Sequence, residues 1–132
     1  MVDIYGYIDF YELKKSDMSL LRYDSSHNTF YWSPDVAKVI AQVTNYLQLI
    51  KKNSDTYINV IREQTTTENI TGIEVNIISP RAIIVAGSSR ELNTPQKKNS
   101  FKNLRESLKD VEFVLYDELL DRLKNLLEQI KI

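Results

Sequence analysis

The sequence predicts an α/β domain in which a central mixed β-sheet is flanked by α-helices. Three observations carry that prediction. The second half of the chain alternates apolar runs with amphipathic stretches in the order strand, helix, strand, helix, which is the grammar of a layered α/β fold. Ile83, Ile84, Val85 and Ala86 form an unbroken apolar run, as expected of a strand buried on both faces. Val36, Val39, Ile40, Val43, Leu47 and Ile50 recur at spacings of three and four, one stripe of a long helix.

Taken in order, residues 2–5 and 7–14 read as two strands around Gly6, rich in aromatic and β-branched side chains. Residues 15–28 are polar, and "DSSHN" marks a loop. "TFYW" at 29–32 fits a short extra strand or a loop segment pinned by its aromatics. A helix then begins with Ser33 as N-cap, Pro34 at the first helical position and Asp35 in the first turn, and runs to about Lys52. "NSD" interrupts it before a second helical stretch at 55–66. Gly72 introduces a strand over 73–78, Pro80 breaks it, and "RAIIVAG" follows as the next strand. Pro95 opens a helix to about Leu108. Residues 111–116 form the last strand, and Asp117 caps a final leucine-rich helix.

With 132 residues, the chain is long enough for one domain with a real core, spanning 1–132, and small for a complete enzyme. The first strand begins almost at Met1, which suggests a piece of a longer protein. Cysteine is absent and histidine occurs once. Disulfides, thiolate metal sites and multi-histidine clusters are therefore excluded. Any metal must be held by carboxylates and carbonyls, a donor set suited to Mg²⁺ or a similar hard cation. The net charge of −1 does not advertise nucleic-acid binding, although a local patch could still supply it. No apolar run reaches the roughly 20 residues of a membrane span, and the N-terminus lacks a signal-peptide core. A cytoplasmic location without membrane contact is the expectation.

The chemistry-bearing residues lie on the first strands. Asp3 sits on one, and Glu12 and Lys14 on the next, where the spacing of two puts both side chains on one face. Phosphodiester hydrolysis needs a metal to generate hydroxide and to offset charge building up on the phosphate. Two carboxylates can hold that metal, and a lysine beside them can orient water or stabilise the developing charge. A Glu-x-Lys on a strand is, by itself, more often a solvated ion pair worth less than about 1 kcal/mol. Asp9 competes with Asp3, but its odd step to Glu12 places it on the opposite face unless a bulge intervenes. On the long helix, Gln42 and Tyr46 are four apart and share a face beside the apolar stripe. They are either polar residues bordering the core or groups reaching toward the strand end that carries Glu12 and Lys14.

The order Asp, Glu-x-Lys, then a helix with Gln-x-x-x-Tyr resembles the PD-(D/E)xK nuclease superfamily, with its restriction-endonuclease-like fold. "AQVTNY" at 41–46, "SPRAIIVAG", "FKNLRESL" and "VEFVLYDELLDRLKNLLEQI" together resemble the C-terminal nuclease domain of the Shedu anti-phage defence proteins over nearly the whole chain. The resemblance implies a metal-dependent DNA nuclease with Mg²⁺ or Mn²⁺ as cofactor. Asp3, Glu12 and the Leu13 backbone carbonyl would be metal ligands, Lys14 the catalytic lysine, and Gln42 and Tyr46 active-site helpers. It also implies that the helix and strand usually preceding the first catalytic strand are lacking here. DNA is then the expected partner, with homo-oligomerisation through the full-length protein. The alternative is a nuclease-fold module without catalysis, serving DNA binding or subunit assembly.

Several other groups invite a role. Lys97, Lys98, Lys102 and Arg105, with Lys109 beyond them, cluster on and around the 95–108 helix and could meet DNA phosphates. A solvated helix face balanced by Glu106 and Asp110 is the commoner meaning of such a cluster. Arg90 follows the buried strand at its C-terminal end, where α/β sheets often bind ligands; "GSSR" lacks the glycine density of a phosphate loop and reads as a turn from which Arg90 could meet a phosphate. His27 lies in a polar loop and receives no role. Phe30, Tyr31 and Trp32 are expected to cover the core rather than to stack on bases. Leu119, Leu123, Leu126 and Ile130 are expected in the core rather than at a subunit interface.

Overall fold

The computed structural model describes residues 7–52 and 76–131. Within them the chain runs β1 (Tyr7–Leu13), β2 (Leu21–Asp24), β3 (Thr29–Trp32), α1 (Pro34–Lys52), β4 (Asn76–Val85), a 3₁₀ turn (Ser89–Glu91), α2 (Pro95–Glu106), β5 (Val111–Val114) and α3 (Tyr116–Ile130). The expected strand at 2–5 with Asp3, the helical stretch at 55–66 and the strand start after Gly72 lie outside the described residues. The class is α/β, consistent with an α/β nuclease-like fold. Described strands of the central sheet are parallel, in the order β1-β4-β5, and antiparallel pairing is confined to the β2–β3 hairpin.

Each helix starts where a side chain can take up its unpaired N–H groups. The Ser33 hydroxyl accepts from Val36 N (3.2 Å) and donates to the Ser19 carbonyl (2.6 Å), so the α1 cap also anchors the hairpin. Thr94 caps α2 by accepting from Lys97 N, with Pro95 at the first helical position. α3 departs from expectation. Its cap is Leu115 rather than Asp117, and the Glu118 carboxylate reaches back to Leu115 N (3.0 Å).

The two faces of the sheet have different covers. Ala82, Ile84, Val111 and Phe113 face α1, whose Val36, Val39, Val43 and Leu47 are buried against them, with Phe10 at the margin. Ile83, Val85 and Val114 face the other way, under Tyr116 and Leu119 of α3. Ile84 and Val85 are both fully buried, as the unbroken apolar run predicts. Trp32 stacks on Phe113 (5.2 Å between centroids) and meets Phe101 edge-on (5.7 Å), so three rings join the hairpin, α2 and β5.

Three further features depart from the sequence expectations. β2 occupies part of the stretch read as a polar loop, pairing antiparallel with β3 across the 25–28 turn. Pro80 does not end a strand: β4 continues through it, while pairing with β1 jumps from Tyr7↔Asn76 to Asp9↔Arg81. Two residues of β1 thus span five of β4, and the proline, which cannot donate to a ladder, sits in the slack. The outer part of α3 is not in the core. Leu120, Leu123, Leu126, Leu127 and Ile130 are each about half exposed or more, and only Leu119 packs on the sheet.

After β4 the chain turns at Gly87, at φ +69°, where a Cβ would lie 2.5 Å from Cδ2 of the fully buried Leu20. Left-handed backbone and steric conflict therefore coincide there. Gly87→Ala should destabilise the fold by about 2–4 kcal/mol, measured by urea denaturation.

Candidate active site

Register alone aims Glu12. Its partner on β4 is Ile84, whose side chain is buried under α1, so Glu12 points to the same side of the sheet. Lys14 follows at the C-terminal end of the strand, with Nζ 3.1 Å from Glu12 Oε1, and each side chain keeps about a third of its surface exposed. Asp9 lies on the other face, 3.5 Å from the guanidinium of Arg81, its register partner. The irregularity in β1 falls before Asp9, so no bulge realigns it with Glu12.

Glu12, Phe10 and Tyr11 form one wall of a cleft of about 170 Å³, with Val43, Tyr46 and Leu47 of α1 opposite. Tyr46 is thus brought to the Glu12 side of the sheet, while Gln42 lies one turn earlier on the exposed surface of α1. The cleft is well below the roughly 300–1,000 Å³ of a small-molecule pocket. Leu13, Lys14 and Lys15 also line an open groove with Met18 and Asp35.

Backbone geometry at Leu13 follows from the ladder. Lys14 N donates to the Val85 carbonyl at 2.9 Å, so the peptide groups of residue 14 face β4 and those of residue 13 face away from it. The Leu13 carbonyl is therefore not used by β4. Of the expected oxygen donors, the described residues include this carbonyl and the Glu12 carboxylate; Asp3 lies outside them. These donors fit a hard cation in kind, although among the described residues no three His, Cys, Asp or Glu side chains converge on one point.

The basic residues divide by location. Arg90 lines a groove with Ser16, Asp17, Met18, Ser88 and Asp117, at the same sheet end as Lys14, and Met18 borders both grooves. Lys98 and Lys102 line another, between α2 and α3. Arg105 is engaged: its guanidinium binds Glu118 (2.6 Å) and lies over the Phe101 ring. Lys97 reaches Asn93 and the face of Phe30. Asp110, read as balancing the α2 lysines, pairs instead with Lys51 of α1 at 3.1 Å. His27 bonds Ser26 and Asp24 within the hairpin turn. The Ser26 hydroxyl, followed by His27, draws the Asp24 carboxyl below its ordinary value.

A family model described as Shedu protein SduA, C-terminal, matches residues 1–120. The chain belongs to this family. Membership in the Shedu family implies a role in the Shedu defence system, and the family is associated with nuclease activity in general. No curated protein matches the chain. No helix among the described residues is long and apolar enough to cross a membrane.

Some residues around the candidate site carried no signal in the sequence. Asp35 reads as a first-turn helix residue, yet it shares the groove of Leu13 and Lys14. Glu91 drew no expectation, yet its carboxylate accepts from Leu20 N (2.7 Å) and Leu21 N (2.8 Å), tying the hairpin to the turn after β4. Asp117 braces the same turn by accepting from the backbone N and hydroxyl of Ser89. Only contacts between distant segments give these residues their places.

The Ser89 hydroxyl, which is the main cause, holds the Asp117 carboxyl below its ordinary 3.8, with Arg90 adding a smaller pull. A lowered folded value means that the stabilisation is complete above the ordinary value and is lost as pH falls through the lowered one. Asp117→Asn should therefore melt below wild type near about pH 7, and the gap should close toward about pH 2. Thermal melts across that range check this.

Proposed function

We propose that this Shedu domain is a metal-dependent DNA nuclease that hydrolyses phosphodiester bonds in anti-phage defence. The observation that supports it most is the Glu12–Lys14 pair, aimed to one side of the sheet at a strand end, beside a Leu13 carbonyl that β4 does not use. A partly exposed pair of this kind contributes less than about 1 kcal/mol to stability, so both residues can be replaced without unfolding the domain.

In this reading the Glu12 carboxylate and the Leu13 carbonyl, with Asp3, hold Mg²⁺ or Mn²⁺. When bound, the ion supplies Lewis-acid stabilisation of phosphate charge and a more acidic water. Lys14 Nζ, held near Glu12, donates a hydrogen bond that orients the attacking water or meets charge on the phosphate oxygen. Tyr46, across the cleft from Glu12, donates to phosphate or water, and Gln42 assists from the next turn. Arg90, Lys98 and Lys102 contact neighbouring phosphates, which steers a charged polymer over the grooves. Lys97 and Arg105 join them only at the cost of their present partners.

The exposed leucine face of α3 supports a second reading, a module for subunit assembly without cleavage. Cleavage assays separate the two. With Mg²⁺ or Mn²⁺ the nuclease should nick or cut DNA, and chelation should abolish it. Glu12→Gln and Lys14→Ala should each lower the rate at least about a hundredfold. Their stabilities should stay within about 0.5 kcal/mol of wild type. Wild-type activity no greater than that of both variants would leave only the assembly reading.

A further inference from the structure

The end of β1 departs from a regular parallel ladder at Lys14. Lys14 N donates to the Val85 carbonyl at 2.9 Å, and regular pairing would have Gly87 N donate back to the Lys14 carbonyl. Gly87 N donates instead to the Lys15 carbonyl, at 3.1 Å. The Lys14 carbonyl is taken by the phenolic hydroxyl of Tyr116, which comes 102 residues later in the chain. A side chain from α3 thus replaces the ladder bond at the residue that carries the amine of the site.

Tyr116 is itself held at both ends. Its backbone N donates to the Gly87 carbonyl at 3.1 Å, and its ring packs against the cluster of Ile83, Val85 and Val114. The turn beside it is braced by Asp117 on Ser89, and the start of α3 by Glu118 on Leu115 N and Arg105. A phenylalanine would supply the same packing. The hydroxyl adds one described bond, and that bond goes to the backbone of residue 14.

We propose that Tyr116 is a positioning residue: its hydroxyl holds the Lys14 carbonyl and so fixes the backbone that aims the Glu12 carboxylate, the Leu13 carbonyl and the Lys14 side chain. The inference rests on the nuclease reading for its purpose, but the clamp itself can be measured without metal or DNA. β4 holds this strand end through the Lys14 N bond to the Val85 carbonyl, and the ladder slips by one residue beyond it. Groups supporting a metal or catalytic constellation from behind commonly change affinity or rate by about 10–100-fold when removed.

The test compares wild type with Tyr116→Phe in the complete chain, with Tyr23→Phe as control because it removes a phenolic hydrogen bond in the hairpin, remote from the strand end. In the metal-free protein, Tyr116→Phe should speed amide hydrogen exchange at Lys14 and Gly87 by about five- to tenfold, with the melting temperature nearly unchanged. Titration should show Mn²⁺ binding weakened about tenfold, and kcat for DNA cleavage should fall about tenfold with KM within about twofold. Tyr23→Phe should match wild type in all three. Unchanged exchange at Lys14 would overturn the clamp. Faster exchange with unchanged Mn²⁺ binding and kcat would overturn its positioning role while wild type still cuts DNA. A wild type that neither binds Mn²⁺ nor cuts would overturn the nuclease reading, and the purpose assigned to Tyr116 with it.

Discussion

The turn at Gly87 is the constraint on which the rest of the structure depends. In one residue the chain leaves the central strand with left-handed backbone, passes against the buried Leu20 side chain, donates to the Lys15 carbonyl and accepts from Tyr116 N. β1, the hairpin and α3 all meet there. Glu91 locks the hairpin side through two charge-assisted bonds, and Asp117 locks the α3 side through Ser89. Few residue types satisfy that crossing, because any side chain at position 87 would displace Leu20 from the core.

Cohesion and the proposed chemistry fall to different atoms. Buried apolar side chains such as Ile84, Val85 and Phe113, with the rings around Trp32, supply the cohesion. Glu12 and Lys14 sit half-exposed at the margin and contribute little to it. Side chains at such a margin can be replaced at little cost to stability, whereas the backbone beneath them cannot be moved without disturbing the core. The loosely covered α3 belongs to neither group. Its first turn serves the sheet through Tyr116 and Leu119, and Arg122 ties it to Glu112 of β5, while its leucines remain outside.

What was legible in the sequence follows from how local each signal is. α1 could be read from its three-and-four stripe and its Ser33-Pro34 start, and β4 from four consecutive apolar residues. The shared face of Glu12 and Lys14 could be read from strand parity, and the structure pairs them. The hairpin was missed because four-residue strands carry too little periodicity, although apolar Leu20 and Leu21 and "TFYW" flank the turn signal. The leucines of α3 misled because a stripe declares an apolar face without saying what covers it. Glu118 displaced Asp117 at the helix start because a carboxylate three residues into a helix can reach back to the cap. The work of Glu91 and Tyr116 was not legible at all, since each acts on a backbone group some 70 to 102 residues away.

Those separations bear on the order of synthesis. A ribosome delivers Glu12 and Lys14 well before Tyr116, which comes 102 residues after the carbonyl it holds. Until β4 emerges, β1 has no described partner strand, and until α3 emerges its end has no clamp. Closing loops of that length carries an entropic cost that only the finished sheet offsets. The acid and the lysine therefore precede the segments that organise them, so a chain cut before those segments would carry both residues without the geometry the proposed site needs.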